Sequence, residues 1–301
     1  MNYFPCGGKT QKIKIDGVNV SLDKIEYASY GEEIVETYQL PYELLRGGAV
    51  VLNGEIHILG GSGTENRKKH YKLNAGNWEQ VSTLPYDFMD DPVIVLNNEI
   101  HAFFGTGHCK WDGTAWTRVS TVPVNMSNGS TVVLNGEIHA LKNSNHYKWD
   151  GVSWTKVSTL PYSFIEGAAV VLNGEIHILG SSNGTQEINK HYKWDGSTWT
   201  KLGDLPYDFR WGSAVALNNK IHILGGKSGS SYVKSHYTWD GTSWLKDKDL
   251  PYVFFWGSGV ILDGEIHILG GGTSSSSPSS SANGRNHYIL NSKKYALIIH
   301  K

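Results

Sequence analysis

Residues 172–177 read Leu-Asn-Gly-Glu-Ile-His, and nearly the same string occurs six times along the chain. Each copy follows a short apolar run, such as GAVVL at 48–52. An Asn-Gly pair between two apolar runs predicts a two-residue type I′ hairpin turn, in which both central residues need positive φ. The six copies end at His57, His101, His139, His177, His222 and His267. The string therefore predicts six antiparallel hairpins.

A second repeated string follows each hairpin and reads HYKWDGSTWTK from His191. Its other copies begin at His70, His108, His146, His236 and His287. An aromatic residue always follows eight positions later, at Trp78, Trp116, Trp154, Trp199, Trp244 and Tyr295. This constant spacing across an Asp-Gly turn predicts a second tight hairpin. Each unit is thus predicted to hold four strands, which we label a to d, and to end at Leu-Pro or Val-Pro.

Four-stranded units repeated every 38 to 45 residues predict a β-propeller, because radial stacking buries the faces that one unit leaves open. The units resemble kelch repeats of bacterial and tailed-phage proteins. They share an apolar strand a, a strand b that ends in Gly-Gly as in IHILGG at 266–271, and then a spaced Tyr and Trp. The resemblance covers residues 40–301. It implies an all-β, kelch-type β-propeller of four-stranded antiparallel blades.

The number of blades depends on the N-terminal segment. Residues 26–41 align without a gap with the second string, and KIKIDGVNVSL at 12–22 places Asp16 and Gly17 where other units have Asn-Gly. The sixth clear unit holds YALII from Tyr295 as a candidate for its own strand d. We therefore expect six clear repeats plus a degenerate seventh blade, with six blades as the alternative. The predicted boundaries are 1–40 for the degenerate blade or closing segment and 41–301 for the single propeller domain.

The charge balance narrows the partners. The chain has 27 Lys and Arg against 28 Asp and Glu, so it has no broad basic field for nucleic acid or anionic lipid. We expect neither nucleic acid nor membrane as a partner. The N-terminus lacks the apolar region of a signal peptide, and no apolar run is long enough to span a bilayer. We expect cytoplasmic synthesis without a signal peptide, with a virion as a further location.

The histidines are predicted to be structural. Twelve of the thirteen occupy the two repeat positions. Those of strand b lie on separate blades and cannot converge on one ion, so we expect them to form hydrogen bonds inside the blades. No paired-carboxylate, Ser-His-Asp or phosphate-loop signature stands out. We therefore predict no catalytic residue, no metal site and no cofactor.

One position varies in chemistry while its surroundings do not. It lies five residues after each closing Pro, and the position before it varies too. Both belong to the d-to-a connections, which share one face of a propeller with the variable b-to-c loops. Variable loops on a rigid scaffold are common sites of recognition. The predicted ligand-binding residues are Arg46, Asp90, Asn128, Glu166, Arg210, Trp211, Phe255 and Trp256.

These features favour a binding module over an enzyme. We expect a non-catalytic module that recognises a glycan or a protein surface through the variable face, associated with a phage tail or a cell surface. The alternative is a carbohydrate-active enzyme, similar to kelch-type sugar epimerases, with its site on the same face. We expect the chain to be a monomer unless it forms part of a larger assembly.

Overall fold

The repeated hairpin turns have the expected type I′ conformation. Asn173 and Gly174 have φ of 53° and 77°, and the equivalent pair has positive φ in all six copies. A computed structural model describes residues 11–15, 18–22, 25–182, 187–272 and 284–299. Its side chains are described for 34–182, 188–272 and 284–290. The all-β prediction is confirmed: the described residues form strands without a helix, arranged as six blades in a ring.

The strands follow the repeat. The N-terminal strands are β1 (Gln11–Ile15), β2 (Val18–Leu22) and β3 (Ile25–Glu36). Blades 1 and 2 are β4 (Gly48–Leu52), β5 (Glu55–Leu59), β6 (Lys69–Asn74), β7 (Asn77–Thr83), and β8 (Val93–Leu96), β9 (Glu99–Phe104), β10 (Gly107–Trp111), β11 (Trp116–Thr121). Blades 3 and 4 are β12 (Ser130–Leu134), β13 (Glu137–Trp149), β14 (Trp154–Phe164), and β15 (Ala168–Leu172), β16 (Glu175–Ser182), β17 (Glu187–Trp194), β18 (Trp199–Lys201).

Blades 5 and 6 complete the ring. Blade 5 is β19 (Ser213–Leu217), β20 (Lys220–Leu224), β23 (His236–Trp239) and β24 (Trp244–Lys246), with a small hairpin β21 (Lys227–Ser228) and β22 (Ser231–Tyr232) in its b-to-c loop. Blade 6 is β25 (Ser258–Leu262), β26 (Glu265–Leu269), β27 (His287–Ile299) and β3. In blade 3, β13 supplies both strand b and strand c. The inner strands contact one another in the cyclic order β4, β8, β12, β15, β19 and β25, and β25 contacts β4 again.

The preferred seventh blade does not form, and the ring has six blades. Strand β27 continues as one strand to Ile299, and β3 pairs along it, with Ile289 opposite Val35. The sixth unit has Asn291 and Ser292 where units 2 to 5 have Asp-Gly and unit 1 has Asn74 and Ala75 before Gly76, so no glycine is present to turn strand c back into its own strand d. The N-terminal segment therefore takes the outer position, as the alternative prediction allowed. Strands β1 and β2 form a separate two-stranded sheet, and residues 16–17 of its turn lie outside the described residues.

The apolar core lies between the blades. Six clusters of buried residues each combine side chains of two neighbouring blades. Between blades 3 and 4, for example, Leu134 and Phe164 pack with Ile176. The blades also approach closely at the end of strand b. Gly225 has φ of 60°, and a Cβ there would lie 2.1 Å from the carbonyl oxygen of Phe254 in the next connection. None of the described residues belongs to a helix long and apolar enough to cross a bilayer.

The repeat histidines pair within each blade. In blade 3, His139 Nδ1 of strand b lies 2.7 Å from His146 Nε2 of strand c. The same contact occurs in all six blades at 2.7 to 2.9 Å. All twelve rings are buried. This is the hydrogen bonding that buried imidazoles require.

A serine of strand d links the histidine pair to the next blade. In blade 3, Ser158 Oγ lies 2.9 Å from His146 Nδ1, and Trp199 Nε1 of blade 4 donates to the same oxygen at 2.9 Å. Ser82 and Ser120 form the same link in blades 1 and 2. The link fixes the tryptophan at the start of strand d against the preceding blade. It therefore adds directional hydrogen bonds to apolar packing between the blades.

Blade 4 lacks the serine, and replacing the missing hydroxyl should stabilise the protein. Gly203 occupies this position, and His191 Nδ1 and Trp244 Nε1 are buried without a hydrogen-bond partner among the described residues. A Cβ at Gly203 would lie 3.6 Å from Trp239, an ordinary contact. We expect Gly203→Ser to raise the free energy of unfolding by about 1 to 2 kcal/mol relative to Gly203→Ala, because two buried groups gain a partner. Urea unfolding near neutral pH measures this difference, and equal stability of the two variants would contradict it.

Candidate functional site

The six residues five positions after each closing Pro form a closed backbone ring. All six have positive φ, between 55° and 63°. The N–H of each residue donates to the carbonyl oxygen of its counterpart in the preceding blade, at 2.6 to 2.9 Å. The order is Arg46, Asp90, Asn128, Glu166, Trp211 and Trp256, and Arg46 N–H closes the ring on Trp256. Because the ring uses only backbone groups, the side chains are free to differ from blade to blade.

The ring surrounds the mouth of the central channel. A cavity of about 170 Å³ is lined by all six ring residues and by the residues that follow them. A second cavity of about 250 Å³ lies along the starts of the strands a, which carry mainly small residues. Both cavities share Asp91 and the five glycines equivalent to it. The structure thus brings Arg46, Asp90, Asn128, Glu166, Trp211 and Trp256 together around one opening.

One side of the mouth is aromatic. The rings of Trp211 and Trp256 lie 4.8 Å apart at 52°. Tyr232, from the small hairpin of blade 5, stacks near Trp211 at 6.2 Å. Neither tryptophan Nε1 has a hydrogen-bond partner among the described residues, which is uncommon for buried indole nitrogens.

Phe255 does not face the mouth, contrary to the prediction. Its side chain is fully buried and stacks on Tyr232 with ring centroids 3.8 Å apart. It therefore supports Tyr232 from behind and cannot contact a ligand directly. Its position in the sequence did not reveal this, because burial depends on the b-to-c loop that covers it.

The charges at the mouth are paired. Arg46 forms a close ion pair with Asp90, and its Nε donates to Asp90 Oδ1 at 2.9 Å. Arg210 Nη1 lies 3.2 Å from Glu166 Oε2. Each guanidinium also lies over a tryptophan ring, Arg46 at 5.0 Å from Trp256 and Arg210 at 3.9 Å from Trp211. The pairs neutralise one another and hold the aromatic side in place.

Sequence reasoning missed two residues of the site. Tyr232 lies in a loop of unique sequence, so the repeat gave no indication of its position. Asp91 follows Asp90 where the other five blades have Gly47, Gly129, Gly167, Gly212 and Gly257. Alignment of the six units would have identified Asp91 as the single departure. Burial raises the pKa of its carboxyl group to about 6, although hydrogen bonds from Ser127 and the Gly105 N–H act in the opposite direction.

Among the described residues, one group of potential metal ligands lies in blade 5, away from the ring. It consists of His222, His236 and Asp247, whose candidate ligand atoms lie within 4.8 Å of one another. His222 Nδ1 and His236 Nε2 are 2.9 Å apart, as in the other blades. Asp247 Oδ2 lies 4.0 Å from His236 Nδ1, too far for a hydrogen bond, and Lys248 holds the position equivalent to the serine of blades 1 to 3. The histidine pair therefore follows the repeat, whereas Asp247 is particular to blade 5.

Comparison with known proteins agrees with the fold. The chain is similar to the solved structure of YjhT, with a TM-score of 0.72 and 16% sequence identity. The similarity covers 88% of this chain and 97% of YjhT. At this identity it shows the fold alone. No family model matches the chain, and no curated protein sequence matches it.

Proposed function

We propose that the protein is a non-catalytic module that binds the end of a glycan at the mouth of the central channel. The observation that carries this proposal is the pair of adjacent tryptophans, Trp211 and Trp256, on one side of a closed ring. Aromatic faces suit the apolar C–H faces of sugars, and hydrogen-bonding neighbours suit their hydroxyl groups. Because six backbone hydrogen bonds close the ring around the opening, a ligand would enter along its axis.

Charge and size favour a small neutral ligand. Among the described residues, Arg46 and Arg210 are paired with Asp90 and Glu166, so these charges largely offset one another and do not favour a phosphate or an acidic peptide. Its cavity of about 170 Å³ is smaller than the roughly 300 to 1,000 Å³ typical of sites for drug-sized molecules. A single sugar unit suits this space better than an extended chain or a protein surface does. In line with the kelch resemblance, we place the module on a cell surface or a phage particle.

A carbohydrate-active enzyme is the second candidate, because of Asp91. A carboxyl group with a pKa of about 6 can donate or accept a proton near neutral pH, as general acid–base catalysis requires. Incubating the protein with each sugar that it binds, and following the sugar by NMR, separates the two candidates. Chemical conversion of a bound sugar would show that the protein is an enzyme and not a non-catalytic binding module.

The tryptophan pair gives the direct test. We expect the Trp211→Ala, Trp256→Ala double variant to lose at least about 2 kcal/mol of binding free energy, as hot-spot aromatics do. Its melting temperature should change little, because both side chains remain partly exposed and the backbone ring is kept. A glycan array identifies the ligand, and calorimetry with that glycan measures the loss.

Tyr38→Ala is the matched control. Tyr38 is exposed and lies against the turn at Gly76, outside the mouth. Its removal should leave glycan affinity unchanged. Equal affinity of the double variant and the wild type would contradict the proposal, as would an array on which no glycan binds.

A further inference from the structure

Three residues of blades 2 and 3 depart from the repeat and lie together beside the channel. Asp91 replaces a glycine found in the other five blades, and Lys142 stands where four blades have glycine. Ser127 holds a position that is otherwise Leu, Met, Ile, Arg or Phe. The three residues lie in separate connections or strands. A single insertion, deletion or substitution in one segment therefore does not explain all three differences from the repeat.

The glycine that Asp91 replaces is required by packing elsewhere. At Gly167, a Cβ would lie 2.6 Å from the ring of Phe164 and 2.8 Å from a backbone carbonyl oxygen. Blade 2 avoids this conflict by a local change in strand a. Pro92 follows Asp91, and β8 begins at Val93, one position later than β4 in blade 1. Blade 2 thus carries a carboxyl group at a position where packing leaves no room for a side chain in blade 4.

Hydrogen bonds connect the three residues. Ser127 Oγ donates to Asp91 Oδ1 at 2.7 Å, and the Gly105 N–H donates to the same oxygen at 3.3 Å. Lys142 Nζ donates to the carbonyl oxygen of Ser127 at 2.5 Å. Lys142 is only 8% exposed, although it carries an ammonium group. Burial lowers its pKa, while the nearby charges of Glu166, Asp90 and Asp91 oppose this shift.

A half-buried carboxylate and a buried ammonium are costly for stability, and the other blades do without them. We therefore attribute to this cluster a role other than stabilising the fold. Asp91 lines both the mouth and the channel below it, so a ligand that passes the ring meets this side chain next. A carboxylate only accepts hydrogen bonds and has about four acceptor positions, so its remaining capacity can be used by hydroxyl donors.

We propose that Asp91, Ser127 and Lys142 form an inner subsite that accepts hydroxyl groups of the sugar unit inserted through the ring. Asp91 is the contacting group. Ser127 and Lys142 are positioning residues that orient the carboxylate and balance its charge. This inference rests on the proposed glycan binding. It adds the specificity of the site, which would recognise the terminal sugar unit of the glycan as a neutral polyol. A cation would be disfavoured by the ammonium of Lys142, and an anion by the carboxylate of Asp91.

The test uses free neutral hexoses and N-acetylhexosamines as probes, with their monodeoxy analogues. Asp91→Gly restores the residue of the other blades, and Asp204→Asn, on an exposed ion pair, is the matched control. We expect Asp91→Gly to weaken binding of the best monosaccharide at least about tenfold and to leave the melting temperature unchanged or higher. One deoxy analogue should bind weakly to the wild type yet lose no further affinity in Asp91→Gly.

The outcomes separate this proposal from the preceding one. If the double tryptophan variant loses binding while Asp91→Gly retains it, the proposed inner subsite is wrong and the proposed binding at the tryptophan pair is supported. If Asp91→Gly loses binding while the tryptophan variant does not, the inner subsite is supported and the proposed role of the tryptophan pair is wrong. A protein captured by the same face, with no sugar bound, would overturn both. Ser127→Leu introduces the residue of blade 1. It should reproduce part of the affinity loss of Asp91→Gly, and the same deoxy analogue should remain the one that binds weakly.

Discussion

The protein should unfold cooperatively as the pH falls from about 6.5 to about 5. Burial lowers the pKa of the repeat histidines below the ordinary 6.5, for example to about 4 at His139 of strand b and to about 3 at His146 of strand c. All twelve of these histidines shift in the same direction. A histidine with a pKa of about 3 or 4, such as His146 or His139, stays mostly neutral in the folded protein throughout this range.

The direction of the effect follows from proton linkage. A histidine with a lowered pKa in the folded state binds its proton more readily when the chain is unfolded. Its contribution to stability is complete above the unfolded pKa of 6.5 and is lost as the pH falls toward the folded value. For a folded pKa of about 4, the loss at about pH 5 is roughly 2 kcal/mol per histidine. Six such histidines would together remove about 12 kcal/mol, which lies within the roughly 5 to 15 kcal/mol that stabilises a typical domain.

Urea unfolding at a series of pH values measures this loss. The free energy of unfolding should be flat above about pH 7.5, and its slope below about pH 6 should correspond to uptake of several protons. Replacing His139 and His146 together by Gln should reduce that slope, because one pair no longer titrates on unfolding. Unchanged stability down to about pH 4.5 would show that the imidazoles take up protons within the folded blades.

Removal of the closing strand should have a comparably large effect. Deleting residues 1–36 removes β3, which pairs with β27 along the outer edge of blade 6, from Glu36 to Ile25. It leaves the backbone polar groups along that edge of β27 unpaired and removes Ile34 from the cluster between blades 5 and 6. We expect a loss of at least about 5 kcal/mol, the lower limit of typical domain stability, and hence no cooperative thermal transition.

Two measurements make this test specific. Deletion of residues 1–24 removes the separate sheet of β1 and β2 but keeps β3, and it should melt close to the full chain. A synthetic peptide covering residues 25–36 should restore the transition to the longer deletion when added in excess, because binding to the folded state stabilises it by mass action. A 1–36 deletion that melts like the full chain would show that β3 is not needed to close the ring.

Much of the site could be located from the sequence, but its working arrangement could not. The repeat placed Arg46, Asp90, Asn128, Glu166, Trp211 and Trp256 at equivalent positions, so any symmetric ring brings them to one mouth. It could not show that Arg46 pairs with Asp90, because the two side chains belong to different blades. It also could not show that Phe255 is covered by Tyr232, since that contact depends on a non-repeated loop.

The sequence by itself determined the turns, the strands and the blade unit. Those depend on local preferences, such as the positive φ of Asn173 and Gly174, and are repeated six times. The tertiary structure alone decided that β3 completes blade 6 and that six backbones close into one hydrogen-bonded ring. These features join residues far apart in the chain, as between Arg46 and Trp256. Their pairing depends on how the blades fill the circle, and no local pattern of residues carries that information.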